Sequence, residues 1–264
     1  MAFQRVQLRF ADNVAVVTLN HPEVLNAVSI QMLRELMAAL AEVEDPEKGA
    51  RCLILTGAGR GFCAGAHLAD PEINGSSGDL KAGSLLEEWY YPILLRLRDF
   101  RMPIITAVNG PAAGVGMSLA MMGDIVIAAR SAYFLQAFRR IGLIPDGGST
   151  FLLPRRVGWS RAVELSMLAE RLPAEKALEW GLVNRVVDDG QALNAAMDLG
   201  RELAAGPTVS MGLIRKAYWQ SFSNTYEQQL HLESELQTEA GRTQDFTEGV
   251  TAFFEKRPPA FKGR

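Results

Sequence analysis

The stretch RCLILTGAGRGFCAGAHL, residues 51–68, has the same plan as RMPIITAVNGPAAGVGMSLA, residues 101–120. In each, an apolar run typical of a strand leads into a glycine-rich turn and then into the start of a predicted helix. Glycine lets the backbone turn sharply, and a helix N-terminus leaves N–H groups without partners. Two such units side by side can aim two N–H donors at one point, as an oxyanion hole requires. Taken alone, each loop is better explained as a tight turn.

The composition is that of a globular protein with one core. The chain has 264 residues, 48% of them hydrophobic and 22% charged, and this length is near the upper size for a single core. The formal net charge is −3 with no long run of one sign, so nucleic acid is not an expected partner. The three histidines and two cysteines are scattered, and we therefore predict no metal site.

Nothing in the sequence indicates a membrane or an export route. The opening MAFQRVQLRF carries two arginines and no apolar core, so it does not have the form of a signal peptide. The apolar segment from Pro103 to Ala129 is interrupted by Asn109, Asp124 and several glycines, which favours a buried core segment over a membrane span. Two cysteines without secretory context indicate a reducing compartment, and we expect a cytoplasmic protein.

Strands and helices alternate along the chain, which predicts an α/β fold. The predicted strands are Val14 to Leu19, RCLILTG, MPIITAVNG and DIVIAAR. Ser29 is the predicted N-cap of a helix that ends before Pro46. From Ser160 onward the pattern is mostly helical, with a break at Pro173, a short strand at NRVV and a helical tail from Val209 to Phe254.

Several motifs suggest other chemistries, each weakly. Gly59, Gly61 and Ala64 fit a dinucleotide-binding pattern, but no strand ending in an acid follows at the expected spacing. Ser118 nearly matches the nucleophile position of a serine hydrolase, with His231 downstream, yet it lies too far from its strand. Cys63 has no predictable base and is better explained as a packed thiol. The aromatics of EEWYYP, residues 87–92, are typical of core packing, although a helix beside a pocket can serve both purposes.

Five stretches in order carry a resemblance to a known family: TGAGRGFCAGAHL, AVNGPAAGVGMSLAMMGDIVIAA, GLIPDGGSTFLLPRRVG, AEKALEWGLVNRVV and EGVTAFFEKRPPAF. Together they resemble the enoyl-CoA hydratase/isomerase (crotonase) family over nearly the whole chain. The resemblance implies a crotonase-like spiral of ββα units in residues 1–205 and a C-terminal helical region, residues 206–264, that forms homotrimers or hexamers. It also implies acyl-CoA thioester substrates, with CoA as part of the substrate and no separate cofactor.

The resemblance also assigns roles by motif position. The N–H groups of Ala66 and Val115 correspond to the two that hold the thioester oxygen in the family, in agreement with the two loops described above. The residues that correspond to CoA contacts are Val24, Leu25, Ala27, Ala64, His67 and Leu68. Lys256, in FFEKRPP, matches a lysine that contacts a CoA phosphate, often from a neighbouring subunit.

The departures from the family pattern bear on the reaction. Hydratases of the family use two glutamates to add water, and those positions fall on Ser118 and Phe138. His67 replaces the usual acid after the first loop, and Val115 replaces a usual glycine while still offering its N–H. Asp146, in IGLIPDGGST, remains at a position where isomerase-type members carry the carboxylate that moves a proton. Asp is also common in turns, and we interpret Asp146 as both a turn residue and the catalytic base.

Three functions remain open from the sequence. The favoured one is an isomerase that moves a proton on an enoyl-CoA or on a ring-epoxide acyl-CoA, with the pattern of the phenylacetate-degradation isomerases. The second is a hydratase or another water-activating enzyme that uses Asp146. The third is a CoA-binding protein without activity. Because Asp146 follows an apolar run, we expect its pKa to be raised.

Overall fold

The structure, a computed structural model, describes residues 3–74 and 82–264. In these ranges strands alternate with helices, which confirms the predicted α/β class. The strands are β1 Val6–Ala11, β2 Val14–Leu19, β3 Cys52–Gly57, β4 Ile104–Val108, β5 Ala112–Ala113, β6 Ile125–Ala129, β7 Tyr133–Leu135, β8 Leu172–Pro173 and β9 Arg185–Val187.

The helices differ widely in length. They are α1 Ile30–Val43, α2 Pro71–Asn74, α3 Ala82–Leu85, α4 Tyr91–Asp99, α5 Val115–Ala120, α6 Ser149–Val157, α7 Trp159–Leu168, α8 Ala174–Glu179, α9 Ala192–Ala204, α10 Thr208–Ser221, α11 Tyr226–Ala240 and α12 Gln244–Glu255. Single 3₁₀ turns cover Pro22–Val24, Pro46–Lys48 and Phe138–Ile141, and a π-helical turn covers Leu86–Tyr90. In the described part of the chain, no helix combines the length and the apolar character that crossing a membrane requires.

The strands form two sheets. The larger has the order β1-β2-β3-β4-β6-β9, in which β1 runs antiparallel to β2 and the following neighbours pair in parallel. The smaller has the order β5-β7-β8. Because β3 and β4 are parallel neighbours, the loops that follow them leave the sheet at the same edge, where ligands of α/β proteins commonly bind.

The first strand was not predicted from the sequence. It pairs with β2 through a two-residue turn in which both Asp12 and Asn13 have a left-handed backbone, with φ of 55° and 59°. Asn and Asp tolerate this conformation better than most residues, and such turns match the twist of a hairpin. The DN pair between two alternating segments was therefore the available signal.

Helices cover the sheet as the apolar patterns predict. Ser29 caps α1, its hydroxyl accepting a hydrogen bond from the Met32 N–H at 3.1 Å. The helix α9 packs so closely on the strands that a Cβ on Gly200 would lie 3.3 Å from side-chain atoms of Ile54 and Val14. Strands β3 and β4 are buried almost throughout, as expected of parallel strands covered on both faces.

The helix α10 of the C-terminal region is tied to the core by polar contacts. Arg215 of α10 is buried and pairs with Asp124 at 2.6 Å. Arg51, beside β3, donates to the Thr208 hydroxyl at 2.8 Å. The helix α9 ends at Ala204, and both the boundary after residue 205 and the role of residues 206–264 in assembly stay predictions.

Candidate active site

The two glycine-rich loops are bonded directly to each other. The Cys63 N–H donates to the Pro111 carbonyl at 3.0 Å, and the Ala113 N–H donates to the Cys63 carbonyl at 2.9 Å. The approach requires glycine, because a Cβ on Gly116 would overlap the Cys63 carbonyl group. The first loop is thereby held against the start of α5.

This docking brings two free N–H donors to one place. Val115 is the first residue of α5, where an N–H has no partner within the helix. Ala66 follows Gly65, whose φ is 103° and which lies against the Ala113 carbonyl. Among the residues that the structure describes, neither the Ala66 nor the Val115 N–H donates to a protein acceptor. The pair is therefore available to a ligand oxygen.

Both donors lie on the wall of one cavity of about 290 Å³. Of the residues predicted for the site, Ala64, Ala66, Leu68, Val115 and Asp146 line it. The rest of the wall is mostly apolar and includes Ile73, Leu85, Leu86, Phe138, Ile141 and Leu143. Such a cavity suits an apolar ligand whose orientation is fixed by a few polar groups.

Asp146 is the only acid among the described residues of this wall. Its carbonyl accepts hydrogen bonds from the Ser149 N–H and the Ser118 hydroxyl, both at 3.0 Å. Its carboxylate Oδ1 is buried and has no hydrogen-bond partner in the described part of the chain. Desolvation raises the pKa of Asp146 to about 6, as the sequence predicted in direction. A carboxylate of this kind is a stronger base than a solvated one.

A buried polar layer supports the Asp146 turn. The Ser118 hydroxyl lies 2.8 Å from the Ser149 hydroxyl, to which the Gln136 amide also donates at 3.2 Å. A Cβ on Gly147 would come within 2.8 Å of the Ser118 Cβ. Ser118, which by motif position corresponds to a glutamate of the hydratases, thus stabilises the turn by a hydrogen bond. It is not among the residues that line the cavity.

The other residues predicted to bind CoA lie outside the cavity wall. Leu25 accepts a hydrogen bond from the Ala64 N–H at 2.9 Å, and the His67 N–H donates to the Val28 carbonyl at 2.9 Å. The segment containing Val24, Leu25 and Ala27 therefore runs beside the first loop. Lys256 is exposed at the C-terminus of α12 with φ of 54°, away from the cavity-lining set. The roles of these residues stay predictions.

Sequence reasoning did not assign most of the apolar wall, and Tyr90 and Phe138 are the informative cases. Tyr90 was predicted mainly as core, although the alternative of a helix beside a pocket was left open, and it lines the cavity. Phe138 was noted only as a lost acid, and it fills that place with a ring. A run of aromatics shows no more than an apolar helix face, so only the fold could separate core from wall.

The weaker motifs do not form sites of their own. Burial raises the pKa of the Cys63 thiol to about 12, which removes it as a nucleophile. The glycine pattern from Gly59 to Ala64 does not open a helix after β3, and His231 is exposed on α11. Over residues 3–74 and 82–264, no cluster of three or more His, Cys, Asp or Glu is arranged to hold a metal ion.

Known proteins match this chain over nearly its whole length. A family model described as enoyl-CoA hydratase/isomerase matches residues 9–264. The chain is 47% identical over 251 residues to the 1,2-epoxyphenylacetyl-CoA isomerase of Escherichia coli (strain K12), covering 95% of each protein. It is 42% identical over 264 residues to a probable enoyl-CoA hydratase of Rhodobacter capsulatus, covering 100% of each.

A solved structure shares the fold. The putative enoyl-CoA hydratase/isomerase from Mycobacterium abscessus matches with a TM-score of 0.91 and 34% identity, covering 98% of this chain and 100% of that one. The sequence match and the structural match indicate the same family. This chain belongs to the enoyl-CoA hydratase/isomerase family and has its crotonase fold.

Proposed function

We propose that this protein is an acyl-CoA isomerase in which Asp146 moves a proton on the acyl group. The observation that carries the proposal is the Asp146 carboxylate, unpartnered and desolvated in the cavity that the Ala66 and Val115 N–H groups share. The relative from Escherichia coli is named as an isomerase of an epoxide-bearing phenylacetyl-CoA. That name makes aromatic or ring-derived acyl groups the first candidates for the substrate.

The two N–H groups bind the thioester oxygen. Hydrogen bonds to this oxygen stabilise the negative charge that develops on it when a proton leaves the neighbouring carbon, and one such donor is typically worth about 3 kcal/mol. Asp146 accepts that proton and returns it to another carbon of the conjugated system, so the double bond shifts and the overall composition is unchanged. One carboxylate suffices because it serves as base and then as acid.

A hydratase is the second candidate, favoured by the name of the Rhodobacter capsulatus relative. Adding water in the family manner uses two acids. The described cavity wall offers one, since Ser118 is buried beneath the Asp146 turn and Phe138 is apolar. The isomerase is therefore the better supported of the two.

Two variants test the proposal. Asp146→Asn keeps the shape of the side chain and removes its basicity, so isomerisation should fall by about 10²–10⁴-fold while CoA ligands still bind. The matched variant Ser118→Ala loses a hydrogen bond to the turn and should cost no more than about tenfold. Near-normal turnover by Asp146→Asn would contradict the proposal.

The substrates for this test separate the alternatives. A 3-enoyl-CoA and a 2-enoyl-CoA are incubated with the enzyme in deuterated water, together with the ring-epoxide phenylacetyl thioester. Double-bond migration or exchange without a hydroxyacyl product supports the isomerase. Rapid formation of 3-hydroxybutyryl-CoA from crotonyl-CoA would establish the hydratase instead, and binding without turnover would indicate a CoA-binding protein.

We further propose that the protein acts as a homotrimer or hexamer that uses no separate cofactor and binds the CoA phosphates in part through Lys256. The support is the exposed apolar surface of the C-terminal region, where Phe253 and Phe254 are 78% and 77% exposed in the single chain. Apolar side chains exposed to this extent next to one another are typical of protein interfaces.

A further inference from the structure

Tyr90 is placed at the cavity by an irregular helix. It is the last residue of the π-helical turn Leu86–Tyr90, which continues directly into α4. A π-helical turn inserts an extra residue into a helix, and such turns occur frequently at functional sites. Tyr90 is only 6% exposed, whereas the next residue, Tyr91, is 41% exposed. The helix thus directs one tyrosine of the pair inward.

The Tyr90 hydroxyl is buried without a partner. Within the part of the chain that the structure describes, no protein group lies within hydrogen-bonding distance of it. Buried tyrosine hydroxyls usually have a partner, because an unsatisfied polar group is costly. Tyr90 also lines the cavity that holds Asp146, Ala66 and Val115. An oxygen of a bound ligand would satisfy the hydroxyl.

The electrostatic surroundings keep this hydroxyl a donor. Desolvation raises the pKa of Tyr90, and the nearby Asp146 and Asp70 carboxylates raise it further. The phenol therefore stays protonated under working conditions. Because Asp146 Oδ1 also lacks a partner, these two groups are not bonded to each other. Both residues line the ligand cavity, where Tyr90 offers a donor and Asp146 a base.

We propose that the Tyr90 hydroxyl donates a hydrogen bond to an oxygen carried by the acyl group, and that it selects oxygen-bearing acyl groups over hydrocarbon ones. The inference rests on the proposed function, because it assigns this cavity to the acyl part of an acyl-CoA. In such a substrate the thioester oxygen binds at Ala66 and Val115, Asp146 faces a carbon, and Tyr90 binds the second oxygen. A site built to hydrogen-bond a ligand oxygen discriminates strongly against an analogue that lacks it.

The test uses unreactive thioesters matched in size. Methoxyphenylacetyl-CoA, whose ether oxygen is only an acceptor, is compared with ethylphenylacetyl-CoA, with the substituent at ring position 2, 3 or 4. Affinities are measured by calorimetry for the wild type, for Tyr90→Phe and for the control Tyr91→Phe. The wild type should prefer the methoxy compound by about tenfold for at least one ring position. Tyr90→Phe should lose this preference, and Tyr91→Phe should retain it.

Thermal unfolding separates this role from a structural one. Replacing an unpaired buried hydroxyl by hydrogen removes no contact, so Tyr90→Phe without ligand should melt at the same temperature as the wild type or higher. Equal affinity for the two thioesters at every ring position, or a preference that survives in Tyr90→Phe, would overturn the inference. Binding needs no proton transfer. Near-normal turnover by Asp146→Asn would therefore refute the isomerase without affecting the measured preference. If turnover depends on Asp146 but the wild type shows no preference for the methoxy compound, only the role of Tyr90 is refuted.

Discussion

In Asp146 the backbone serves the fold while the side chain remains available for the proposed reaction. Its backbone carbonyl is used by the fold, accepting from Ser149 and Ser118, while its carboxylate is left without a partner. Asp in a turn ordinarily bonds its side chain to nearby N–H groups. Here the structure withholds those bonds and desolvates the carboxylate, which makes it more basic.

The activity should depend on pH through this carboxylate. A base must be ionised, and Asp146 has a pKa of about 6 in the free protein, so kcat/KM should fall about tenfold per pH unit below that value. The substrate thioester has no group that titrates there. The check is a profile of kcat/KM between pH 4.5 and 8, with protein integrity followed by circular dichroism. An inflection near pH 4 would mean that Asp146 is not desolvated in the working enzyme.

The same desolvation should lower the stability of the folded protein. The folded pKa of about 6 lies above the ordinary Asp value of 3.8, so the cost of ionising Asp146 is absent below about pH 4 and grows as pH rises to 6. Asp146→Asn should therefore raise the free energy of unfolding at pH 7 by about 1 kcal/mol, a value discounted for the partial exposure of the site. At pH 3.5 the two proteins should be equally stable. Chemical denaturation at both pH values measures the difference, and an equal gain at both would point to another cause.

The geometry of the site depends on where β3 and β4 place the loops that follow them. Parallel pairing sends both loops to one edge, and the hydrogen bonds between Cys63, Pro111 and Ala113 then lock one against the other. The glycines are needed for this contact, since Gly116 packs against the Cys63 backbone. The contact between the two loops therefore determines the positions of the Ala66 and Val115 N–H groups.

The substitution Gly116→Ala should break this contact. The added Cβ would overlap the Cys63 carbonyl group, so the loops must separate, at a cost of about 1–3 kcal/mol in stability. The remaining folded protein should also have lower activity than the wild type, because the Val115 N–H moves with the loop. The control is Gly249→Ala in α12, where the Cβ would meet only an ordinary contact with Phe261 at 3.5 Å. Urea unfolding and turnover measure both effects, and wild-type activity in Gly116→Ala would contradict the account.

Most elements with strong local signals were predicted from the sequence, and those that depend on tertiary contacts were not. Strand β2 and the Ser29 cap of α1 were predicted, because a β-branched run and an N-cap act locally. Strand β1 was missed although its residues alternate between apolar and polar up to the Asp12–Asn13 turn, so its signal was also local. The two similar glycine-rich loops were visible in the sequence, whereas the assignment of Ala66 and Val115 as the donors came from the family resemblance and stays a prediction. The inward turn of Tyr90 was not predicted, since it depends on a π-helical turn that no local pattern specifies.

Several large apolar side chains remain exposed in the single chain. Ile144, next to the Asp146 turn, is 79% exposed, and Trp159 at the start of α7 is 75% exposed. A second cavity, of about 880 Å³, lies beside the first and shares Leu86, Leu143 and Asp146 with it. Apolar side chains exposed to this extent are typical of association surfaces. If the proposed oligomer uses this surface, we expect a second subunit near the approach to Asp146.

Two measurements test the proposed assembly and the proposed role of Lys256. Analytical ultracentrifugation should give the mass of a trimer or hexamer, and Lys256→Ala should leave that mass unchanged. In the variant, CoA binding should weaken by about three- to tenfold at low salt, because one exposed cation near a phosphate contributes modestly and is screened by ions. At 0.5 M salt the difference should largely disappear. Lys48→Ala, which removes another exposed lysine, is the matched control and should bind CoA normally. Sedimentation as a monomer would mean that the exposed helices need another partner. Unchanged CoA affinity of Lys256→Ala at every salt concentration would mean that Lys256 has no role in the site.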